Sequence, residues 1–288
     1  MSISIEILQT GSVRLRPSAY SQPANHSVLS RRLKFLTDRT WHPNPLPVFS
    51  FLVHHPEGPI LFDTGMSPSC NSPGYFPRWA PAIKWTSELL IEPHEGIVKQ
   101  LREKGVKPQD LKAVVISHLH HDHAGGLKDL EDAPIYTSRT HWESFKNPIF
   151  AALEGAAPSH WPKTFPPLFL DPSGPPIGPF ERSYPITADG RVVAVDTPGH
   201  TRGHVSLVVF GEGTTWFLTG DACFSLQGLD GEGTDGLNDD PKTAVETVRR
   251  IKGVTMGKGK GVVVLPSHDW GSVEWLRDGT VYKPTKLS

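Results

Sequence analysis

The chain has 288 residues and a formal net charge of −1, from 29 basic and 30 acidic side chains. This balance provides no basic patch for nucleic acids, and no apolar run is long enough to cross a bilayer, so neither a nucleic-acid partner nor a membrane partner is expected. Only two cysteines occur, and the first residues lack the charged and apolar parts of a signal peptide, which together predict a cytoplasmic protein.

Short apolar and β-branched runs predict two groups of strands along the chain. The first group comprises Ser2–Leu8, Val48–His54, Pro59–Asp63, Lys112–Ser117 and Ile135–Thr137. The second group comprises Arg191–Asp196, Val205–Phe210, Thr215–Thr219 and Gly261–Leu265. Helices are predicted at Glu95–Lys104 and after Asp240, which precedes a proline at the first helical position. This order predicts an α/β (α+β) fold with two sheets packed face to face and helices outside, an αββα four-layer sandwich.

Three segments without clear periodicity are predicted as loop insertions in a single domain that spans residues 1–288. They lie near residues 15–46, 66–91 and 157–186. The third segment contains nine prolines with several aromatic residues among them. Because long ordered loops in compact domains are often functional, this segment is either a surface loop packed on the body or a wall over a functional site.

A dense cluster of potential metal ligands follows the predicted strand at Lys112–Ser117. His118, His120, Asp122 and His123 lie within six residues of one another. Histidine and aspartate suit zinc and similar divalent ions. The backbone between the four groups is too short to wrap all of them around one tetrahedral ion, which favours two ions side by side. Two metals that share a water-derived hydroxide form a hydrolytic centre.

Further ligands are expected from later strands of the predicted fold. His200, Asp221 and His268 each lie shortly after the end of a predicted strand, so they can converge on one edge of a sheet. Asp221 is the candidate to bridge the two metals. Asp63, at the end of an earlier strand, is not needed as a ligand and is a candidate to orient a ligating imidazole by accepting its second N–H.

These motifs resemble those of metallo-β-lactamase-fold hydrolases. The similarity rests on the His-x-His-x-Asp-His loop at 118–123, on the order of the three later residues, and on Leu61–Gly65, which resembles the Asp-Thr-Gly strand end of that family. The resemblance implies two zinc ions as cofactors, which Mn²⁺, Fe²⁺ or Co²⁺ can replace because no thiolate ligand is present. The implied metal ligands are His118, His120, Asp122, His123, His200, Asp221 and His268.

The resemblance also implies which residues bind each ion and which of them act in catalysis. The ligands divide into His118, His120 and His200 for one ion, and Asp122, His123 and His268 for the other. A hydroxide between the metals is then the nucleophile. The catalytic residues are Asp221, which bridges the ions, and Asp122, which shuttles a proton to the leaving group.

Within the family, the local sequence is most similar to the N-acyl-homoserine lactonase branch. The similar phrases are Phe62–Met66, Ser117–Gly126 and Thr197–Thr201. Those lactonases usually carry a tyrosine three residues after the bridging aspartate, where its hydroxyl contacts the substrate. Phe224 occupies that position here and offers no hydrogen bond. Phe224 and His121, the variable residue of the histidine cluster, are the expected substrate-pocket residues.

The expected function is hydrolysis of a small cyclic ester or amide, which is a lactone or a lactam, by a binuclear metal centre. Bicyclic aromatic lactams are an alternative to acyl-homoserine lactones, because of Phe224. A thioesterase similar to glyoxalase II and a non-catalytic metal-binding scaffold are further alternatives. The sequence leaves the native metal and the oligomeric state open.

Overall fold

The computed structural model describes residues 2–163, 165, 167–231, 233–256 and 261–284. The chain forms two compact units, and each has its own sheet and its own apolar core. The first unit consists of Ile3–Arg16 and Arg39–Phe169, and the second of Pro17–Asp38 and the residues from 170 onward.

The first unit is built on a seven-stranded mixed sheet. In sheet order its strands are Ser87–Leu90, Ser4–Leu15, Leu46–His54, Ile60–Phe62, Ala113–Val115, Ile135–Thr137 and Leu168–Phe169. The last four run parallel to one another, so their carboxyl ends lie at the same edge of the sheet. Its α-helices are Ala82–Thr86, Ile97–Glu103, His121–Ala124, Arg139–Phe145 and Pro148–Leu153. Its described residues also form 3₁₀ turns at Pro93–Glu95, Pro108–Asp110, Leu127–Leu130 and Pro158–His160.

The second unit contains a five-stranded sheet and a two-stranded one. The larger sheet has the order Val262–Pro266, Thr215–Gly220, Val205–Phe210, Val192–Asp196 and Ser183–Pro185. The smaller sheet pairs Gln22–Pro23 with Gly233–Thr234. The α-helices are Pro17–Tyr20, Val28–Thr37, Leu226–Asp230, Pro241–Thr255 and Gly271–Asp278. Three strands of the larger sheet share one direction. Val192–Asp196 and Thr215–Gly220 both run antiparallel to the strand between them, and Val262–Pro266 runs parallel to Thr215–Gly220.

The structure confirms the predicted mixed α/β class with two main sheets and helices. The first strand is longer than the predicted Ser2–Leu8, because it continues to Leu15 through an irregularity in the pairing between Gln9 and Ser12. Gly11 lies within that irregularity with a φ of 95°, a conformation that glycine adopts without a steric penalty. The alternation of apolar and polar residues is interrupted there, which explains why the predicted strand ends too early, at Leu8.

The predicted insertions contain regular structure. Segment 15–46 includes the helix Val28–Thr37, in which Ser27 accepts a hydrogen bond from the backbone N–H of Ser30 as the N-cap. Segment 66–91 includes a helix and an edge strand, and segment 157–186 includes two short strands, with residues 164 and 166 outside the described part. The single domain over 1–288 stays a prediction. No helix among the described residues is long and apolar enough to cross a membrane.

Candidate metal centre

The histidine cluster of the first unit lies on the turn that follows the strand Ala113–Val115. Nε2 of His118 lies 2.9 Å from Nδ1 of His120, and the ring centroids of His118 and His123 are 4.2 Å apart. His118 and His123 are fully buried, whereas Asp122 is half-buried. The structure therefore brings the three predicted histidine ligands of this unit close together on one short segment.

Asp63 contacts the same turn from the end of the neighbouring parallel strand. Its carboxylate accepts hydrogen bonds from the backbone N–H and the hydroxyl of Ser117, each at 2.8 Å. Oδ2 of Asp63, which accepts from the Ser117 hydroxyl, also lies 2.8 Å from Nδ1 of His123. A proton on Nδ1 satisfies this contact and leaves the lone pair of Nε2 for a metal ion. Asp63 is the one non-glycine residue with positive φ in the described chain, at 61°.

Backbone contacts hold this turn in place. The backbone N–H and hydroxyl of Thr64 donate to the carbonyl oxygen of His123, at 2.7 and 2.9 Å. His141 accepts a hydrogen bond of 2.9 Å at Nε2 from the backbone N–H of Leu119. At Gly125 a Cβ atom would lie 2.5 Å from the carbonyl oxygen of His121, so only glycine fits. The close approach explains the glycine after the cluster.

The second unit carries the remaining three predicted ligands at one edge of its sheet. Oδ2 of Asp221 lies 3.4 Å from Nε2 of His200, and Oδ1 of Asp221 lies 3.2 Å from Nε2 of His268. All three side chains are buried. Each of them follows one of the strands that share a direction, which is why residues far apart in sequence meet here. The two oxygens of one carboxylate thus face two different imidazoles.

Two residues around this trio were not predicted as site residues. His204 accepts at Nε2 a hydrogen bond of 3.1 Å from the backbone N–H of Asp221, while its Nδ1 lies 2.9 Å from Oγ1 of Thr197. Asp235 lies 3.3 Å from Nδ1 of His200, measured at Oδ1. No local pattern in the sequence marks Asp235, because its partner is distant along the chain. These contacts make His204 a structural hydrogen-bonding residue.

The predicted pocket residues, Phe224 and His121, each pack against other rings of their own unit. The Phe224 ring centroid is 5.8 Å from that of His200 and 5.1 Å from that of His268. Phe224 also lines a cavity of about 230 Å³, together with Tyr20, Ala222, Cys223, Ser225, Gln227, Thr234, Asp235 and Val248. In the first unit, the His121 ring packs edge-on against Phe76 at 5.1 Å.

Both cysteines are buried and carry free thiols. Burial raises the pKa of the Cys223 thiol to about 12 and that of the Cys70 thiol to about 11. At neutral pH both sulfurs therefore stay protonated, and a protonated thiol is a poor nucleophile and a poor metal ligand. The metal-binding chemistry of the chain consequently rests on imidazole and carboxylate groups.

These donors fit a divalent metal of zinc type. Nitrogen and oxygen atoms suit zinc, manganese, iron and cobalt, and no thiolate restricts the choice. In each unit one ligating candidate has its second ring nitrogen beside a buried carboxylate, His123 beside Asp63 and His200 beside Asp235. Such outer carboxylates fix the tautomer and orientation of metal-binding histidines in proteins.

The family profile described as the metallo-beta-lactamase superfamily matches residues 43–268. The chain is 31% identical over 226 residues to the N-acyl homoserine lactonase AiiA of Bacillus thuringiensis subsp. kurstaki. This alignment covers 78% of this chain and 82% of that relative. It is 30% identical over 256 residues to an N-acyl homoserine lactonase of Bacillus cereus, covering 87% of this chain and 92% of that relative.

Solved structures share the fold. An N-acyl homoserine lactone hydrolase with its product at the catalytic metal center has a TM-score of 0.71 and 23% identity, over 98% of both chains. The dizinc lactonase AidC has a TM-score of 0.63 and 18% identity, over 94% of this chain and 89% of that one. The chain belongs to the metallo-β-lactamase superfamily. It is a metal-dependent hydrolase with that fold, in a family for which zinc is the typical metal.

Proposed function

We propose that this chain binds two divalent ions, zinc by preference, and uses them to open a small cyclic ester or amide. The observation that carries the proposal is the position of Asp221, whose two carboxylate oxygens lie 3.4 Å from His200 and 3.2 Å from His268. In the ligand assignment these two histidines hold different ions. A carboxylate that faces both of them is suited to bridge a metal pair.

The proposed ligands are the seven side chains of the motif set. They are His118, His120, Asp122, His123, His200, Asp221 and His268. When bound, a pair of divalent ions lowers the pKa of water and polarises a carbonyl oxygen. Asp63 lies beside Nδ1 of His123, so a proton on that nitrogen leaves the lone pair of Nε2 for a metal ion. Asp122 is half-buried and is the candidate to carry a proton to the leaving atom of the ring.

The relatives support a lactone as the substrate. Two proteins at least 30% identical to the chain are N-acyl homoserine lactonases, and the alignments cover most of both partners. We therefore take an acyl-homoserine lactone as the first candidate substrate. The leaving group is then an alkoxide, which needs a proton as the ring opens.

One observation favours a lactam with a bicyclic aromatic body as the second candidate. Phe224 lies beside His200 and His268 and lines the cavity of about 230 Å³ in the second unit. An aromatic side chain without a hydroxyl packs well against a flat ring and donates no hydrogen bond to a leaving alkoxide or an acyl carbonyl. The substrate class is thus a small cyclic ester or amide with an apolar or aromatic part.

The test is a substrate panel assayed with purified, metal-loaded protein. The panel contains an N-acyl homoserine lactone, a bicyclic aromatic lactam and a thioester, each monitored for hydrolysis. We expect turnover of the lactone or the lactam, loss of turnover after chelation, and loss in Asp221→Ala. The matched control Asp278→Ala removes an exposed carboxylate of the same unit and should keep the wild-type rate.

Other outcomes of the panel decide against the proposal. Turnover of the thioester alone identifies a thioesterase, and bound metal without any turnover identifies a non-catalytic scaffold. Full activity in Asp221→Ala contradicts the bridging role. We also propose a cytoplasmic location, since two cysteines without a disulfide suit a reducing compartment.

A further inference from the structure

Asp235 lies beside a proposed ligand but outside the motif set. Its Oδ1 atom lies 3.3 Å from Nδ1 of His200 and accepts a hydrogen bond of 2.9 Å from the backbone N–H of Leu237. The side chains of His200 and Asp235 are only 1% and 3% exposed. A buried carboxylate that faces an imidazole N–H determines which ring nitrogen carries the proton.

We propose that Asp235 is a positioning residue, which accepts a hydrogen bond from Nδ1 of His200 and so presents Nε2 to a metal ion. The inference rests on the proposed function, because it requires His200 to be a ligand. Nε2 of His200 lies 3.4 Å from the carboxylate of Asp221. The two ring nitrogens of His200 therefore face two different carboxylates. Asp221, beside Nε2, is proposed to bridge the metal ions, and Asp235, beside Nδ1, is proposed to accept the ring N–H.

The segment that carries Asp235 also holds the backbone around His200. The backbone N–H of Asp239 donates to the carbonyl oxygen of His200 at 3.0 Å, and that of Asp240 donates to the carbonyl oxygen of Gly199 at 3.0 Å. The histidine is thus fixed by its side chain and by its main chain to the same short segment. This double attachment removes rotational freedom from the ring before a metal binds.

Arg31 fixes Asp235 from the helix Val28–Thr37. Its guanidinium is fully buried and donates to the carbonyl oxygen of Asp235, to Oγ1 of Thr234 at 3.0 Å and to the carbonyl oxygen of Pro23 at 2.7 Å. Burial lowers the pKa of Arg31, and the negative charge of Asp235 opposes that effect. The buried Arg31 guanidinium therefore holds the main chain of Asp235 by a hydrogen bond and also interacts electrostatically with its carboxylate.

The experiment compares two isosteric substitutions in the same segment, Asp235→Asn and Asp239→Asn. Asp239 serves as the control, because its carboxylate pairs with the half-exposed Arg32 at 3.2 Å. Zinc affinity is measured by competition with a chromophoric chelator, and the cobalt-loaded proteins are compared by their visible absorption. Substituting a residue that hydrogen-bonds to a metal-binding histidine typically lowers metal affinity by about 10–100-fold. Because the asparagine amide oxygen can still accept one hydrogen bond, we expect a loss of zinc affinity near the lower limit, about tenfold.

We expect Asp235→Asn to bind one of its ions about tenfold more weakly and to change the cobalt spectrum, while Asp239→Asn matches the wild type. In the metal-free protein, nitrogen-15 spectra of the histidines should show His200 protonated on Nδ1 in the wild type and a mixture of tautomers in Asp235→Leu. Equal zinc affinity and equal cobalt spectra for the two asparagine variants would overturn the inference. A wild-type protein that binds no zinc would instead overturn the proposed function.

Discussion

The carboxylate of Asp63 lies 2.8 Å from Nδ1 of His123, although the two residues are 60 positions apart in the sequence. Both side chains are fully buried, so the contact is shielded from water. The left-handed φ of 61° at Asp63 turns the chain sharply at the end of its strand. Aspartate tolerates this conformation better than most side chains do, which suits it to this position.

Asp63→Asn should weaken metal binding. The amide keeps the shape and tolerates the left-handed backbone, but it loses the charge that holds the proton on His123. We expect affinity to fall about 10–100-fold, measured by chelator competition. Asp132→Asn removes an exposed carboxylate of the same unit and serves as the control. Equal affinity in the two variants would show that Asp63 does not orient the histidine.

The histidine cluster could be recognised because four candidate ligands lie within six residues, so that no knowledge of the fold is needed to group them. His200, Asp221 and His268 were predictable as single residues after strands, since strands with a shared direction end at one edge of a sheet. The sequence also predicted both main sheets, because buried strands are continuous apolar runs.

Asp235 and Arg31 could not be predicted in the same way. Their contact joins residues 204 positions apart and depends on a helix in a segment without clear core periodicity. That helix repeats leucine at positions 29, 33 and 36, but all three side chains are exposed, so the repeat marks no buried face. A buried arginine that binds main-chain oxygens leaves no local signal in a sequence.

Phe224→Tyr should shift substrate preference towards acyl-homoserine lactones and away from bicyclic aromatic lactams. A hydroxyl at this position adds one hydrogen-bond donor beside His200 and His268. One such bond contributes about 0.5–1.5 kcal/mol, so the ratio of kcat/KM values should change by about two- to tenfold. The measurement is that ratio in wild type and variant. An unchanged or opposite ratio would mean that Phe224 does not select the substrate.

The two thiols should be unreactive in the folded protein. Burial raises the pKa of Cys223 to about 12 and that of Cys70 to about 11, so little thiolate forms near neutral pH. We expect slow alkylation by iodoacetamide at pH 8 in the native state and rapid modification of both residues in denaturant, counted by mass spectrometry. Fast labelling of the folded protein would contradict the burial of these side chains.

Asp240→Ala should destabilise the fold in a pH-dependent manner. Asp240 is the N-cap of the helix Pro241–Thr255, and hydrogen bonds from Thr243 hold its pKa below the ordinary value. Loss of such a cap costs about 0.5–2 kcal/mol of unfolding free energy at pH 7. Because the pKa is lowered in the folded state, this contribution is complete above the unfolded value of about 3.9 and fades as the pH falls through the folded value.

Urea denaturation of wild type and Asp240→Ala checks this sign. The difference in unfolding free energy should shrink between neutral pH and about pH 3. Asp240→Asn retains a capping side chain without a charge, so it should lie close to the wild type near pH 7, and its difference from Asp240→Ala should not change with pH. A difference between wild type and Asp240→Ala that grows as the pH falls would show that the charged cap does not stabilise this helix.

Metal stoichiometry tests the central claim most directly. Metal-free protein is titrated with zinc while bound metal is measured by elemental analysis and ring opening is followed on the best substrate of the panel. From the seven proposed nitrogen and oxygen ligands, and from Asp221 between His200 and His268, we predict that activity reaches its plateau at two ions per chain. Full activity at one ion per chain or fewer would contradict the binuclear account.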